Sequence, residues 1–270
     1  MHATVTHLLD GLPTGRDVLS AAELLTHGVD ARQTGRLVRA GHLTALTRGW
    51  YAVRPPTSPA DRHLLCARAH ELAYAGSAVP SHYTALLRLG LPLHRADLQT
   101  VHLTRTAAGV FRRRPGLMVH APVPGALVPA GLPRSGQLRP ALAIVQTGIV
   151  CGPMDALIAA DAAWHRGLVD RAALDAAVAL VHRHPGSHLI GPFLSLADPR
   201  AESPGETRLR HAFHLMALPV VSQAEIVGEE RWARVDFMLR DHPVVVEFDG
   251  MVKYQERDGD GRPGWQVLAA

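Results

Sequence analysis

Asparagine is absent from this 270-residue chain, and of its 28 Lys and Arg side chains only one, Lys253, is a lysine. A GC-rich coding sequence accounts for both shortages, because Lys and Asn codons are A-rich, and it makes the address of the surviving lysine worth following. With two cysteines, Cys66 and Cys151, a disulfide scaffold and a cysteine zinc site are both excluded. There is no apolar run of about 18 residues, and the opening MHATVTHLLDGLPTG lacks a basic segment followed by an apolar one. A membrane span and secretion are therefore not expected, and the cytoplasm is the expected compartment. What is present is a 47% hydrophobic share, sufficient for real cores in two or three modest domains.

The formal charge is +4 with a pI near 9.6, a balance that permits nucleic-acid binding without requiring it. Two Pro-rich breaks divide the chain, Arg54-Pro55-Pro56-Thr57-Ser58-Pro59 and the stretch from His184-Pro185-Gly186 to Ser203-Pro204. They place boundaries near 57 and 198. The expected fold class is a multidomain α+β protein: residues 1–57, a mainly helical middle at 58–198, and an α/β unit at 199–270.

In the first part, Leu19 to Thr26 reads as a short helix capped by Ser20, with Glu23 at capping-box spacing. Gly28 makes a turn and Asp30 caps a second helix to Ala40. Along it Arg32, Arg36 and Arg39 fall within about 60° of one another at about 100° per residue. Gln33, on the same first turn, is a further DNA-contact candidate, and Ala31, Thr34 and Val38 lie on the opposite side. Gly41 ends the helix, and a hairpin follows with Arg48 at its tip. Short helix, turn, arginine helix and hairpin in that order read as a winged helix-turn-helix, whose arginines meet a groove and its phosphates. A solvated helix face has the same arginine stripe, and that reading stays open. Leu37-Val38-Arg39-Ala40-Gly41-His42-Leu43 and Thr47-Arg48-Gly49-Trp50-Tyr51 resemble the winged segment of AbiEi-type antitoxins, repressors of abortive-infection systems. The resemblance implies double-stranded DNA as partner, together with a partner toxin or self-association.

The middle part says less. A helix from Ser58-Pro59 to Tyr74 presents Leu64, Leu65, Ala69 and Leu72 on one face. A second begins near Pro80 and stops at Gly90. Thr100–Thr104 and Leu117–His120 read as strands, and helices follow at about 152–165 and 170–182. The phrases "S-H-x-T-A-L-x-x-L-G" and "V-H-L-T" again resemble AbiEi-like proteins. Ser81 and His82 are adjacent, and neighbours on a helix diverge by about 100°, which argues against a nucleophile–base pair. The 17 histidines show no zinc spacing, His182-x-His184 and His211-x-x-His214 included, and are expected to be surface or half-buried structural residues.

The last part carries the most chemistry. Ser203-Pro204-Gly205-Glu206 starts a helix that ends near Leu218-Pro219. Strands follow at Val220–Val227, Ala233–Leu239 and Val244–Phe248, the last two joined by a hairpin at Arg240-Asp241-His242-Pro243. The run Val244-Val245-Val246 predicts a strand buried on both faces. Asp236, Glu247 and Asp249 then come to one rim, as hard oxygen ligands suited to Mg²⁺. An Asp/Glu turn solvated and paired with Arg234 is the plainer alternative. In order, Glu206, Val235-Asp236-Phe237 and Glu247-Phe248-Asp249-Gly250 resemble the PD-(D/E)XK restriction-endonuclease-like fold, and most of all its very-short-patch-repair branch, over about residues 202–254.

That resemblance implies Mg²⁺-dependent phosphodiester hydrolysis, with Asp236 and Glu247 as metal ligands and Glu206 assisting. Asp249 stands where the fold has its lysine, and Lys253 is the nearby basic group that replaces it beside the phosphate. The Asp/Gly/Pro-rich segment after Tyr254 is a poor helix, so the nuclease-like unit reads as truncated. A DNA-binding protein with an active nuclease unit and a non-enzymatic repressor or antitoxin with an inactive one both follow from these residues, as does a degenerate protein with a lost tail.

Overall fold

The computed structural model describes residues 16–228 and 232–249. The chain is a mixed α+β protein, with three sheets among these residues. No helix among them is long and apolar enough to cross a membrane.

Ser20 and Asp30 start the first two helices as their capping sequences dictate. Strand β1 (Val18–Ser20) runs into α1 (Ala21–Thr26), and α2 (Ala31–Arg39) follows. The Ser20 hydroxyl accepts from the Glu23 backbone N–H at 3.2 Å while the Glu23 carboxylate accepts from the Ser20 N–H at 2.8 Å. The same reciprocal exchange joins Asp30 and Gln33 at 2.7 and 2.8 Å. Each box satisfies two N–H groups that a helix start leaves open. Strands β2 (Thr44–Thr47) and β3 (Trp50–Ala52) form a hairpin, and β1 adds to β3 to give the antiparallel order β1-β3-β2. Gly49 closes the hairpin at φ +74°, which favours glycine. Leu19, Leu24, Val29, Leu37 and Leu43 make the small core. Two expectations need correction. Leu19 belongs to the strand, because its side chain is drawn into this core. Ala31 is exposed, the buried side of α2 being Thr34 and Leu37, one turn apart.

Helix α3 (Pro59–Tyr74) is capped by Ser58, whose hydroxyl accepts from the Asp61 N–H at 3.1 Å. It serves two cores. Leu65 and Ala69 pack with Val18 and Ala52 of the first sheet, and Ala67 packs with Val101, Leu103, Leu117 and Val119 of the second. Burial on two sides explains why the expected single stripe fails: Leu64 and Leu72 are only half-buried, while His63 and Ala67 are buried.

The second sheet comprises β4 (Ala78–Pro80), β5 (Val101–Arg105), β6 (Arg112–Arg114) and β7 (Leu117–His120), in the order β4-β5-β7-β6. Only β5 and β7 are parallel, with Val101 opposite Leu117 and Thr104 opposite His120. Strand alternation puts Leu103 and Val119 towards α3, and His102, Thr104 and His120 on the other face. Helix α4 (His82–Arg88) follows β4. The helical layer is α5 (Pro140–Cys151), α6 (Pro153–His165), α7 (Arg171–Leu180) and α8 (Ile190–Leu194), packed through Leu142, Ile144, Ala156, Ala160, Leu174 and Ile190. Gly148 permits the close crossing there, since a Cβ on it would stand 2.7 Å from the Ala156 Cβ.

The C-terminal unit is α9 (Pro204–Leu215) against an antiparallel sheet of β8 (Val220–Val227), β9 (Trp232–Leu239) and β10 (Val245–Val246), ordered β10-β9-β8. Ser222, Ala224, Val235 and Phe237 are buried, and Phe213 of α9 meets Phe237 edge-on at 5.5 Å. The expected hairpin is present, with Val245 opposite Met238 and Val246 opposite Phe237. The doubly buried valine strand is not. Among the described residues strand β10 lies at the sheet edge and is two residues long, and Val244 and Val245 are 45% and 42% exposed. A β-branched run signals a strand, and cover over its faces comes from elsewhere in the chain.

Buried Asp161 of α6 joins this unit to the helical layer. Its carboxylate accepts from the Asp198 N–H and the Thr207 hydroxyl, each at 2.8 Å, and it is ion-paired with Arg210 of α9. Burial pushes this carboxyl above its ordinary pKa, against the opposing pull of Arg210 and the hydrogen bonds.

Candidate functional site

Two sets of predicted residues lie within the described chain, one basic and one acidic. On α2, Arg32, Arg36 and Arg39 are exposed, because Thr34 and Leu37 commit the opposite side to the core. Arg48 is exposed at the β2–β3 turn. None of these four arginines is held in an ion pair among the described residues, so their guanidinium groups are available to an external anion. Gln33 differs from them: its side-chain oxygen is engaged at the Asp30 N–H, so capping occupies the acceptor that reading a base edge would use.

The acidic set converges in part. Asp236, half-buried on β9, accepts from the Phe248 backbone N–H at 2.7 Å and from the Gln223 side-chain amide at 3.4 Å. That amide also donates to the buried Glu206 carboxylate at 3.1 Å, which in turn accepts from the Glu202 N–H at 2.9 Å. Gln223 therefore bridges the helix acid and the strand acid. It does so with a backbone φ of +51° in the middle of β8, a left-handed conformation that costs a residue with a Cβ on the order of 1–2 kcal/mol.

Glu247 lies against Asp236. Burial, the Asp236 charge and the Asp249 charge push its carboxyl above the ordinary value, with an Asp236 backbone hydrogen bond opposing them. Glu247 and Asp249 are both exposed, and Arg234 pairs with Glu202 at 2.8 Å. Lys253 lies outside the described residues, as does Gly250.

The donor set fits a hard divalent cation in its chemistry. Asp236 and Glu247 are neighbouring carboxylates, and a cation between them would relieve the repulsion that, after burial, raises Glu247. Glu206 is not brought into the same small volume. It reaches Asp236 only through Gln223.

Gln223 was not legible as a site residue. Its only trace is an amide at the central position of a strand otherwise rich in β-branched and small residues. The histidine expectation also needs correction, since His63, His82 and His102 are buried. Ser81 is the cap residue of α4 rather than a helical neighbour, and His82 has a φ of +52°, so the two side chains meet at 2.9 Å instead of diverging.

No protein-family model and no curated protein matches this chain.

Proposed function

We propose that the chain is a double-stranded DNA-binding protein that grips the duplex through a winged helix-turn-helix, with α2 in the major groove and the β2–β3 hairpin as wing. The observation that carries this reading is the set of four exposed arginines without ion pairs among the described residues, three on one face of α2 and one at the hairpin tip. Guanidinium groups in that layout neutralise phosphates on either side of a groove and position the helix for base contact. The AbiEi-like wording of residues 37–51 supports the same assignment, and makes a partner toxin or a second copy the protein partner to seek.

The test is the salt dependence of duplex binding. Neutralising one phosphate contributes about 0.9 to the slope of log K against log salt. Changing Arg32, Arg36 and Arg39 together to Ala should lower the slope by about 2.7. Across a fourfold change in salt this alters the wild-type to variant affinity ratio about 40-fold. An unchanged slope in a folded variant removes α2 from the interface.

A second activity is favoured by the Glu206–Gln223–Asp236–Glu247 chain. We infer a restriction-endonuclease-like C-terminal unit in which Asp236 and Glu247 hold Mg²⁺. The ion would activate water and neutralise charge on a phosphodiester. Gln223 fixes the Asp236 carboxylate, and Phe248 N–H fixes its other oxygen, so the acid is oriented before any ion arrives. Mg²⁺-dependent cleavage by the full chain that is lost in Asp236→Ala supports the nuclease. DNA binding without cleavage in Mg²⁺ or Mn²⁺ assigns the chain to the non-enzymatic repressor class.

A further inference from the structure

Three histidines far apart in the sequence meet inside the middle unit. His82 opens α4, His102 is on β5 and His120 is on β7, and the parallel pairing of these strands puts the last two on one sheet face beneath α4. His82 and His102 are buried, and His120 is half-buried. Among the described residues this is the one group of three or more His, Cys, Asp or Glu side chains with ligand atoms close enough to share an ion, all within 4.8 Å of one another. We propose that His82, His102 and His120 form a Zn²⁺ site.

Four observations carry it. First, the spacing is near what the ion needs. Zn–N bonds of about 2.0–2.1 Å in a tetrahedron set the nitrogens about 3.3 Å apart. His102 Nδ1 and His120 Nε2 stand 2.9 Å apart now, and no ligand pair exceeds 4.8 Å. The His82 and His120 rings are stacked at 3.9 Å between centroids, so binding turns them outward into a fan around the ion.

Second, the outer partner that ligating histidines use is present. His82 Nδ1 lies 2.9 Å from the Ser81 hydroxyl, which can accept a hydrogen bond from the Nδ1–H and leave the Nε2 lone pair for the metal. Third, His82 holds a left-handed φ of +52°, backbone strain placed at the residue that completes the cluster. Its N–H reaches the Gln146 side-chain oxygen at 3.4 Å, which ties the strained residue to α5.

Fourth, Thr104 Oγ1 is fully buried on the same sheet face, two residues from His102 and opposite His120, and has no hydrogen-bond partner among the described residues. A buried hydroxyl left unpaired costs about 1–3 kcal/mol. A metal-bound water in the fourth position would supply the missing partner.

Binding balances without redox change. The proton shared between His102 Nδ1 and His120 Nε2 moves to the outward nitrogen of its ring, and the two inner lone pairs take the ion. Phe111, 52% exposed, lies 5.5 Å from the His120 ring.

Untagged full-length protein, stripped with chelator and dialysed against Zn²⁺, tests the site by elemental analysis and by the visible spectrum after Co²⁺ substitution. The expected result is one equivalent of zinc per chain and a tetrahedral Co²⁺ spectrum. Both should be lost in His102→Ala and weakened at least tenfold in His120→Gln. His211→Ala/His214→Ala should keep both. His120 is half-buried, so its variant decides the matter if His102→Ala does not fold. Failure to take up zinc, or zinc affinity undiminished in folded His120→Gln, overturns the proposal, and neither outcome bears on DNA binding.

Discussion

Removing Arg210 should loosen the C-terminal unit in a way that depends on pH, and the size of the effect follows from the surroundings of Asp161. That carboxylate is 1% exposed and has three partners: the Asp198 N–H, the Thr207 hydroxyl and the Arg210 guanidinium. Only Arg210 carries charge. Arg210→Ala leaves two neutral donors facing a buried anion, and breaking a buried pair from one side costs about 3–5 kcal/mol. Proton uptake sets a ceiling on that loss. Neutralising a carboxyl of ordinary pKa 3.8 costs about 1.36 kcal/mol per pH unit above it, hence at most about 4.4 kcal/mol at pH 7 and about 1.6 at pH 5. The sign is fixed by linkage: losing Arg210 raises the folded-state pKa further, so the variant regains stability relative to wild type as pH falls through that value towards 3.8. Urea denaturation at pH 7 and pH 5 reads both quantities, and Trp164, three residues along α6, supplies a nearby fluorescence probe. At pH 7 the deficit should lower the melting temperature by roughly 6–18 °C. A deficit below about 1 kcal/mol at pH 7, or one equally large at pH 5, would refute the claim that an ionised Asp161 depends on Arg210.

His63 should make the middle unit acid-sensitive. Its Nδ1 donates to the Leu98 carbonyl at 3.0 Å, so Nε2 accepts from the Thr84 hydroxyl at 2.9 Å, and burial lowers its pKa below 6.5. A lowered histidine contributes stability that is complete above its unfolded value and is lost as pH drops below it, so the advantage of wild type over His63→Gln should shrink between pH 7 and 5.5; a constant difference in urea titrations contradicts this. At Gln223, Gly and Ala substitutions both delete the amide bridge, but only Gly accepts φ +51° without strain. Gln223→Gly should therefore be about 1 kcal/mol more stable than Gln223→Ala, the reverse of the usual order within a strand, and equal or lower stability would mean the left-handed conformation is not native.

The parts of the fold that could be read from the sequence are those fixed by neighbours. Ser20 with Glu23 and Asp30 with Gln33 mark their helix starts through contacts three residues long, and the Gly49 turn and the Arg240–Pro243 hairpin are equally local. The direction of Arg32, Arg36 and Arg39 followed from helical period alone, since it needs only to know which side Leu37 and Thr34 bury. Reading failed where one element serves two neighbours or is exposed despite a core-like composition. Helix α3 hides its stripe because it faces two sheets, and in the run Val244–Val246 the first two valines are exposed.

The two constellations missed in the sequence share one cause. Gln223 faces Glu206 because β8 folds back on α9, and His102 faces His120 because β5 and β7 pair in parallel across a connection that contains β6. Neither relation leaves a spacing in the chain. A weaker trace did exist: alternation in Val101-His102-Leu103-Thr104 and in Met118-Val119-His120 puts the polar residues on the face away from the apolar core, and a histidine on each strand of a buried sheet requires a partner there. Both misses also sit on left-handed residues, Gln223 and His82, whose conformation no propensity foretells. Packing must hold such residues in place, and in both cases a polar group is what the strain delivers: an amide between two carboxylates, and an imidazole onto two others. Strained, polar and convergent positions are where substitution will separate function from folding, and the acid rim and the histidine cluster are independent enough to be tested one without the other.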